Sequence, residues 1–183
     1  MGPRDQRQNL KDLRKGRRRA YEEVVLQHYR AVFRFMAYLT RDTSLAEELT
    51  QETFASAWAN IDSFRSRASL GTWLHRIAYR KFIDSTRRQK RDAALTGSLE
   101  PQNDIAPESS DPLHRLTADE NYRLLYQAMR MLKSPEYTVL VLHYIQGLSF
   151  RQVAKVLDRP VGTVKWQTSR ALKNLKSFLT GRV

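Results

Sequence analysis

The chain has 183 residues, with 32 Lys plus Arg against 19 Asp plus Glu, a net charge of +13 and no cysteine. The missing cysteines exclude disulfides, thiolate metal sites and cysteine nucleophiles, and the excess of positive charge favours a polyanionic partner: DNA, RNA or an anionic membrane surface. No stretch approaches the ~18 apolar residues needed to span a bilayer, and the N-terminus lacks an apolar signal core, so a soluble cytoplasmic protein without membrane insertion is expected.

With only 7 Gly and 6 Pro and a helical hydrophobic period almost throughout, the fold class reads as all-α. Residues 1–19 are polar and end in the basic cluster Arg14-Lys15-Gly16-Arg17-Arg18-Arg19. They read as a frayed, solvated extension, with phosphate contact as the alternative. From Tyr21 to Leu39, apolar residues recur at three- and four-residue steps and predict a helix, with His28 as a packed core histidine on its apolar face. Ser44 followed by Glu47 has the form of a capping box, and a second helix is expected to run to about Ile61. Leu45, Leu49, Thr53, Ala57 and Ile61 lie on its inner side, and Glu47, Glu48, Gln51 and Glu52 on its outer side. Acids in a first turn suit the helix dipole; in so basic a chain they also read as a docking face for a basic partner.

Asp62–Ala68 reads as a polar loop holding Arg65 and Arg67. Ser69 is placed to cap a third helix, Leu70 to about Arg91, with Trp73, Leu74, Ile77, Ala78 and Ile83 among its apolar residues. Seven cations (Arg76, Arg80, Lys81, Arg87, Arg88, Lys90 and Arg91) stand beside the aromatics Trp73, Tyr79 and Phe82. That exceeds what the helix dipole requires and favours nucleic-acid contact by a cationic, stacking surface.

Residues 93–118 change character, with Gly97, Pro101, Pro107 and Pro112 and one basic residue against four acids; they read as a flexible linker. The flanking parts are both basic: 20 cations against 11 acids in 1–92, and 11 against 4 in 119–183. The expected organisation is therefore an extension (1–19), a helical domain (20–92), the linker (93–118) and a second helical domain (119–183). Two small basic domains on a tether suit bidentate binding, because the tether raises the effective concentration of the second contact.

In the second domain, Asp119–Leu132 is expected to be helical, with Leu124, Leu125, Ala128, Met129 and Leu132 inward. Pro135 opens another helix at its first turn, packing Tyr137, Leu140, Val141, Tyr144 and Ile145 and ending at Gly147. Then comes LSFRQVAKVLDRPVGTVKWQTSRALKNL, residues 148–175. Ser149 and Gln152 form a capping box, Asp158-Arg159-Pro160 interrupts, because the residue before proline is pushed away from α geometry, and a longer helix starts near Val161. Its inward residues are Val161, Val164, Thr168, Ala171, Leu172 and Leu175, and Phe178 and Leu179 extend the stripe. Its outer face carries Lys165, Trp166, Gln167, Ser169, Arg170 and Lys173. This is the helix-turn-helix pattern, whose second helix enters the major groove; paired amphipathic helices also occur in α-domains that never touch DNA.

Three segments together, AEELTQETFASAW (46–58), FRSRASLGTWLHRIAYRKFIDSTRR (64–88) and SPEYTVLVLHYIQGLSFRQVAKVLDRPVGTVK (134–165), resemble bacterial RNA polymerase sigma factors of the sigma-70 family, in the compact two-domain form of the extracytoplasmic-function (ECF, group 4) class. The resemblance implies that residues 20–92 form region 2, a three-helix-type bundle, and 119–183 form region 4, the helix-turn-helix. It implies core RNA polymerase (β′ clamp helices, β flap) and promoter DNA as partners. An anti-sigma factor is a further implied partner, since members of this family are often held inactive by one. Glu48, Gln51 and Glu52, with Glu47 beside them, match the polymerase-binding motif. Ser63, Phe64, Arg65 and Arg67 of the loop and Arg76, Arg80, Lys81, Arg87 and Arg88 of the following helix match the part that reads the −10 element. There a non-template base would be held flipped from the stack and the single strand tracked by cations. Thr163, Lys165, Trp166, Gln167, Ser169, Arg170 and Lys173 fall where the family meets the −35 element.

The chain departs from the family in having Arg80 where Asn is common, Trp166-Gln167 where Ser-Arg is common, and Leu172 and Asn174 in place of expected cations. Since Arg is the usual partner of guanine and Gln of adenine, these changes bear on promoter sequence. The resemblance implies no cofactor, no metal and no small-molecule substrate. A stand-alone operator-binding dimer leaves the first domain and its acidic patch unexplained. An enzyme acting on nucleic acid lacks a metal-ligand cluster, a phosphate-binding glycine loop and a nucleophile–base set.

Overall fold

A computed structural model describes residues 11–64, 68–96 and 120–181. Helix α1 (11–14) leads directly into α2 (Arg18–Thr40). Leu13 is almost fully buried, so this part of the N-terminal extension is packed, contrary to the expectation of a solvated tail. One apolar side chain among the cations supplies the reason, because it has a groove to fill.

Helix α3 (Thr43–Ala59) starts at Asp42, whose carboxylate accepts the Leu45 amide at 3.0 Å. The Ser44/Glu47 box is therefore not the cap; an aspartate two residues earlier serves as well as a serine and starts the helix sooner. A single 3₁₀ turn, Ile61–Ser63, follows. Helix α4 (Leu70–Thr96) is entered through Ser69, whose hydroxyl accepts the Thr72 amide at 3.2 Å. It continues five residues past its expected end, over the start of the expected linker; no Gly or Pro stands between Arg91 and Thr96 to stop it. The remainder of the linker lies outside the described residues.

Helices α2, α3 and α4 enclose one core around Val32, Phe35, Met36, Ala46, Leu49, Leu74 and Ala78. Two threonines are buried within it. Thr50 and Thr53 each turn the hydroxyl back onto the carbonyl four residues earlier, at 2.6 Å, so neither leaves an orphaned polar atom. Tyr21 packs its ring 4.6 Å from Trp58, and Tyr29 stacks 6.1 Å from Phe54.

The second half holds α5 (Glu120–Arg130), α6 (Ser134–Leu140) continued by a π turn (Val141–Ile145), α7 (Phe150–Leu157) and α8 (Val161–Thr180). Gly147, at φ 69°, closes the α6 unit, and the Leu148 carbonyl accepts the His143 Nδ1–H at 2.7 Å. The Ser149–Gln152 capping box forms in both directions. Helix α7 ends because Asp158 takes the left-handed conformation, φ 55°, and the Arg159 amide reaches back to the Ala154 carbonyl at 3.0 Å. Aspartate is among the few non-glycine residues that adopt this conformation readily. The stop is thus Asp158 rather than the restriction before Pro160; Pro160 instead begins α8.

Val153, Val156, Val164, Thr168 and Ala171 bury the facing sides of α7 and α8. Leu125, Tyr144, Leu172, Phe178 and Leu179 are exposed rather than inward. Tyr144 sits on the π turn, whose extra residue rotates the side-chain register away from the 3.6-residue pattern. Leu172 follows the buried Ala171 on the outward side of α8, and the last turn extends past the core.

The two halves pack on each other. Helix α7 lies against α4. The Tyr137 hydroxyl donates to the Tyr38 carbonyl at 2.9 Å, and Arg41 lies 5.3 Å over the Tyr137 ring. Arg76 pairs with Asp158 at 3.2 Å. The tethered pair therefore shares one continuous core.

Candidate polymerase and nucleic-acid interface

On α3, inward Leu45, Ala46, Leu49, Thr53 and Ala57 leave Glu47, Glu48 and Gln51 exposed on the opposite side. Glu52 is half-buried and pairs with Lys81 of α4 at 3.0 Å, so the acidic patch and the basic helix meet edge to edge. Of the loop residues, Ser63 is exposed and donates its hydroxyl to the Asn60 carbonyl at 2.7 Å. Phe64 is 7 % exposed with its ring 5.2 Å from Trp73. It therefore lies inside the bundle, with its ring turned away from solvent. Arg65 and Arg67 lie outside the described residues.

The cations of α4 divide into two groups. Arg80, Arg87 and Arg88 are exposed. Arg76 and Lys81 are half-buried in their ion pairs with Asp158 and Glu52. Next to Arg76, His75 is buried and donates Nδ1–H to the Gly71 carbonyl at 2.8 Å, which leaves Nε2 as a buried acceptor. Burial holds the His75 pKa below its ordinary value, against the opposing pull of the Gly71 carbonyl and Gln146. His28 lies across from it with its own pKa lowered, first by burial and then by His75. Burial raises the Tyr79 hydroxyl, with Arg159 of the second half pulling the other way.

On α8, Val164, Thr168 and Ala171 are buried, and Lys165, Trp166, Ser169, Arg170 and Lys173 are exposed around the other side. Trp166 is 58 % exposed and the Arg170 guanidinium lies 5.3 Å over its ring. Thr163 and Gln167 are half-buried. Gln167 accepts from Arg159 Nη1 at 3.1 Å, so its carbonyl oxygen is turned to the α7–α8 turn rather than outward.

Arg170 is further held by Glu136, whose carboxylate accepts Arg170 Nε at 2.9 Å and Asn174 Nδ2 at 3.0 Å. Glu136 is 5 % exposed. Its charge is tolerated because both oxygens are occupied and it stands in the first turn of α6. Asn174, a departure from the expected cation, is thus the second donor to this buried acid. Sequence reading missed Glu136 and Asp158. The signal was available: residues 121–181 contain only these two carboxylates, and in so basic a domain each has a cation to meet.

Residues 24–92 match the family model for sigma-70 region 2, and residues 122–175 match that for sigma-70 region 4. The chain belongs to the sigma-70 family. It is 30 % identical over 179 residues to the ECF RNA polymerase sigma factor SigW of Bacillus subtilis, covering 94 % of this chain and 96 % of that one. It is 26 % identical to the RNA polymerase sigma-H factor of Pseudomonas aeruginosa over 94 % and 92 % of the two chains. Its fold resembles that of the sigma factor RpoE of Bartonella quintana, solved in complex with the anti-sigma factor NepR, with a TM-score of 0.75 at 24 % identity over 87 % and 96 % of the chains.

This sigma factor is of the ECF type. It directs RNA polymerase to promoters and is an initiation factor, not an enzyme; its partners are core polymerase and promoter DNA. None of its described helices is long and apolar enough to cross a membrane.

Proposed function

We propose that this sigma factor divides promoter recognition between residues 20–92 and 119–183, joined through 93–118, whose first four residues continue α4. Glu47, Glu48 and Gln51 form the face for the β′ clamp helices, and Glu52 anchors its edge to Lys81. Ser63 and the cations Arg80, Arg87 and Arg88, with Arg76 and Lys81 once their ion pairs open, follow the −10 strand. Lys165, Trp166, Ser169, Arg170 and Lys173 meet the −35 element. The observation that carries this reading is the outer face of α8, where five polar, basic or aromatic side chains stand opposite buried Val164, Thr168 and Ala171. A helix-turn-helix presents such a face to the major groove. Gln167, committed to Arg159, is a support of that face rather than a reader of adenine.

Cytoplasmic location follows from these partners. Regulation by an anti-sigma factor is proposed from the resemblance to a fold solved with one bound.

The test is run-off transcription with purified core polymerase on a pool of promoter fragments, comparing the native protein with the Glu48→Ala, Gln51→Ala double variant. Discrete transcripts are expected only when the native protein is added. The double variant should lose most of them together with affinity for core polymerase, while retaining its helical content. Unchanged affinity for core would overturn the docking assignment.

A further inference from the structure

The N-terminal turn is built to hold something. Helix α1 is closed by two reverse hydrogen bonds, Gly16 amide to Leu13 carbonyl and Arg17 amide to Asp12 carbonyl, both 3.0 Å. Gly16 stands at φ 70° in the left-handed conformation that this closure requires. An Arg17–Asp12 ion pair at 3.0 Å spans the same turn. Leu13, 3 % exposed, lines one small apolar cavity together with Val24, Phe54, Trp58, Ile61, Trp73 and Leu74.

With Leu13 seated, the next side chain is delivered to the start of the loop ahead of α4. Arg14 Nη2 donates to the Phe64 carbonyl at 2.8 Å, a contact fifty residues away in sequence. Trp73 is common to both: it lines the same small cavity as Leu13 and packs 5.2 Å from Phe64. Three segments that are remote in the chain (the N-terminal turn, the loop start and the first turn of α4) therefore meet at one tryptophan. Among the described residues, Phe64 is also held by its buried ring and by its amide bond to the Ile61 carbonyl at 3.1 Å.

We propose that Arg14 is a positioning residue for −10 recognition, with Leu13 as its anchor. The charge-assisted bond from Arg14 fixes the backbone at Ser63–Phe64 before DNA arrives, so that ordering this segment costs less on binding. The inference rests on the assignment of this loop to the −10 element. It gives the N-terminal cations a role that needs no contact with phosphate.

The experiment measures transcription by reconstituted holoenzyme from promoters with matched and scrambled −10 elements over a range of salt. Arg14→Ala is expected to reduce matched-over-scrambled discrimination about fivefold, the scale of one hydrogen bond, with the salt dependence and core affinity unchanged. Leu13→Ala, which keeps the guanidinium but removes its anchor, should reproduce the loss. Two results overturn the proposal: discrimination unchanged in Arg14→Ala, or a uniform loss on both templates with a lower salt slope, which is the mark of a phosphate contact. Arg14 is exposed, so its variant keeps the fold, and this readout decides even where Leu13→Ala is too unstable to assay. Failure of the native protein to discriminate between the −10 elements would instead overturn the loop assignment itself.

Discussion

Helices α4 and α8 carry similar side chains, each basic with tryptophan among its residues, but they are available to DNA to different degrees. The first half of α4 is packed in, with His75 and Ala78 buried and Arg76 paired to Asp158 at the end of α7; Arg80, Arg87 and Arg88 are exposed farther along the helix. Helix α8 instead keeps Lys165, Trp166, Ser169, Arg170 and Lys173 of its outer face exposed and is braced from behind, with Glu136 holding Arg170 and Asn174. The lesson is that a count of cations on a helix does not give its binding capacity. An ion pair to another element occupies a cation, whereas one to a buried carboxylate on the same domain orients it. On the proposed reading, Arg76 would reach DNA only after its contact with Asp158 opens, whereas Arg170 is held in place by Glu136.

The brace behind α8 is the point at which this contrast breaks most easily. Glu136→Ala removes the acceptor of both Arg170 and Asn174 and should lower unfolding stability by about 1–3 kcal/mol, the cost of stranding hydrogen-bonding groups, as measured by denaturant titration. It should also weaken −35-dependent transcription; a variant with native stability and promoter use would show that the brace is passive. Arg170→Ala leaves Glu136 buried without its charged partner and takes one reader from the groove. A roughly tenfold loss on −35-dependent templates is expected, the scale of one good base contact, with little change on templates whose −35 element is scrambled.

Acid should sharpen the contrast from the α4 side. The His75 and His28 pKa values are held below their ordinary value by burial, so the unfolded chain binds protons more readily than the folded one. Their contribution to stability is complete above the unfolded value of about 6.5 and is lost as pH falls below it. The denaturation midpoint should drop between pH 7 and pH 5.5, and His75→Gln should flatten that drop; an equal drop in the variant would exclude His75 as its source. The smallest effect is expected from Asp158→Asn, which keeps a residue tolerant of φ 55° but removes the charge facing Arg76. An exposed pair of this kind contributes about 0–1 kcal/mol, so separation of the two halves should rise by no more than about fivefold. Energy transfer between dyes on α2 and α8 reads that shift, and it should vanish at high salt.

Much of the fold was legible in residue order. The periodicity of Tyr21–Leu39, the Ser149–Gln152 box and Pro135 at a first turn are local signals. They survive because each depends on neighbours within one helical turn. The cap of α3 is Asp42, two residues before Ser44, because the helix already starts at Thr43, and the sequence offers either residue as a cap. The exposed face of α8 was equally readable, since it is the complement of an apolar stripe.

What the order of residues determined by itself is the all-α class, the two basic halves, the helix-turn-helix and, through three motifs in register, the sigma-70 family. The tertiary structure decided which of the named side chains are available. Phe64 is turned inward onto Trp73, Gln167 is taken by Arg159, Arg76 by Asp158 and Lys81 by Glu52. Arg14, read as part of a solvated tail, reaches the Phe64 carbonyl. The physical reason is that periodicity reports which face of a helix is apolar. A pairing across 50 or 82 residues depends on how helices cross, and no local pattern encodes that crossing.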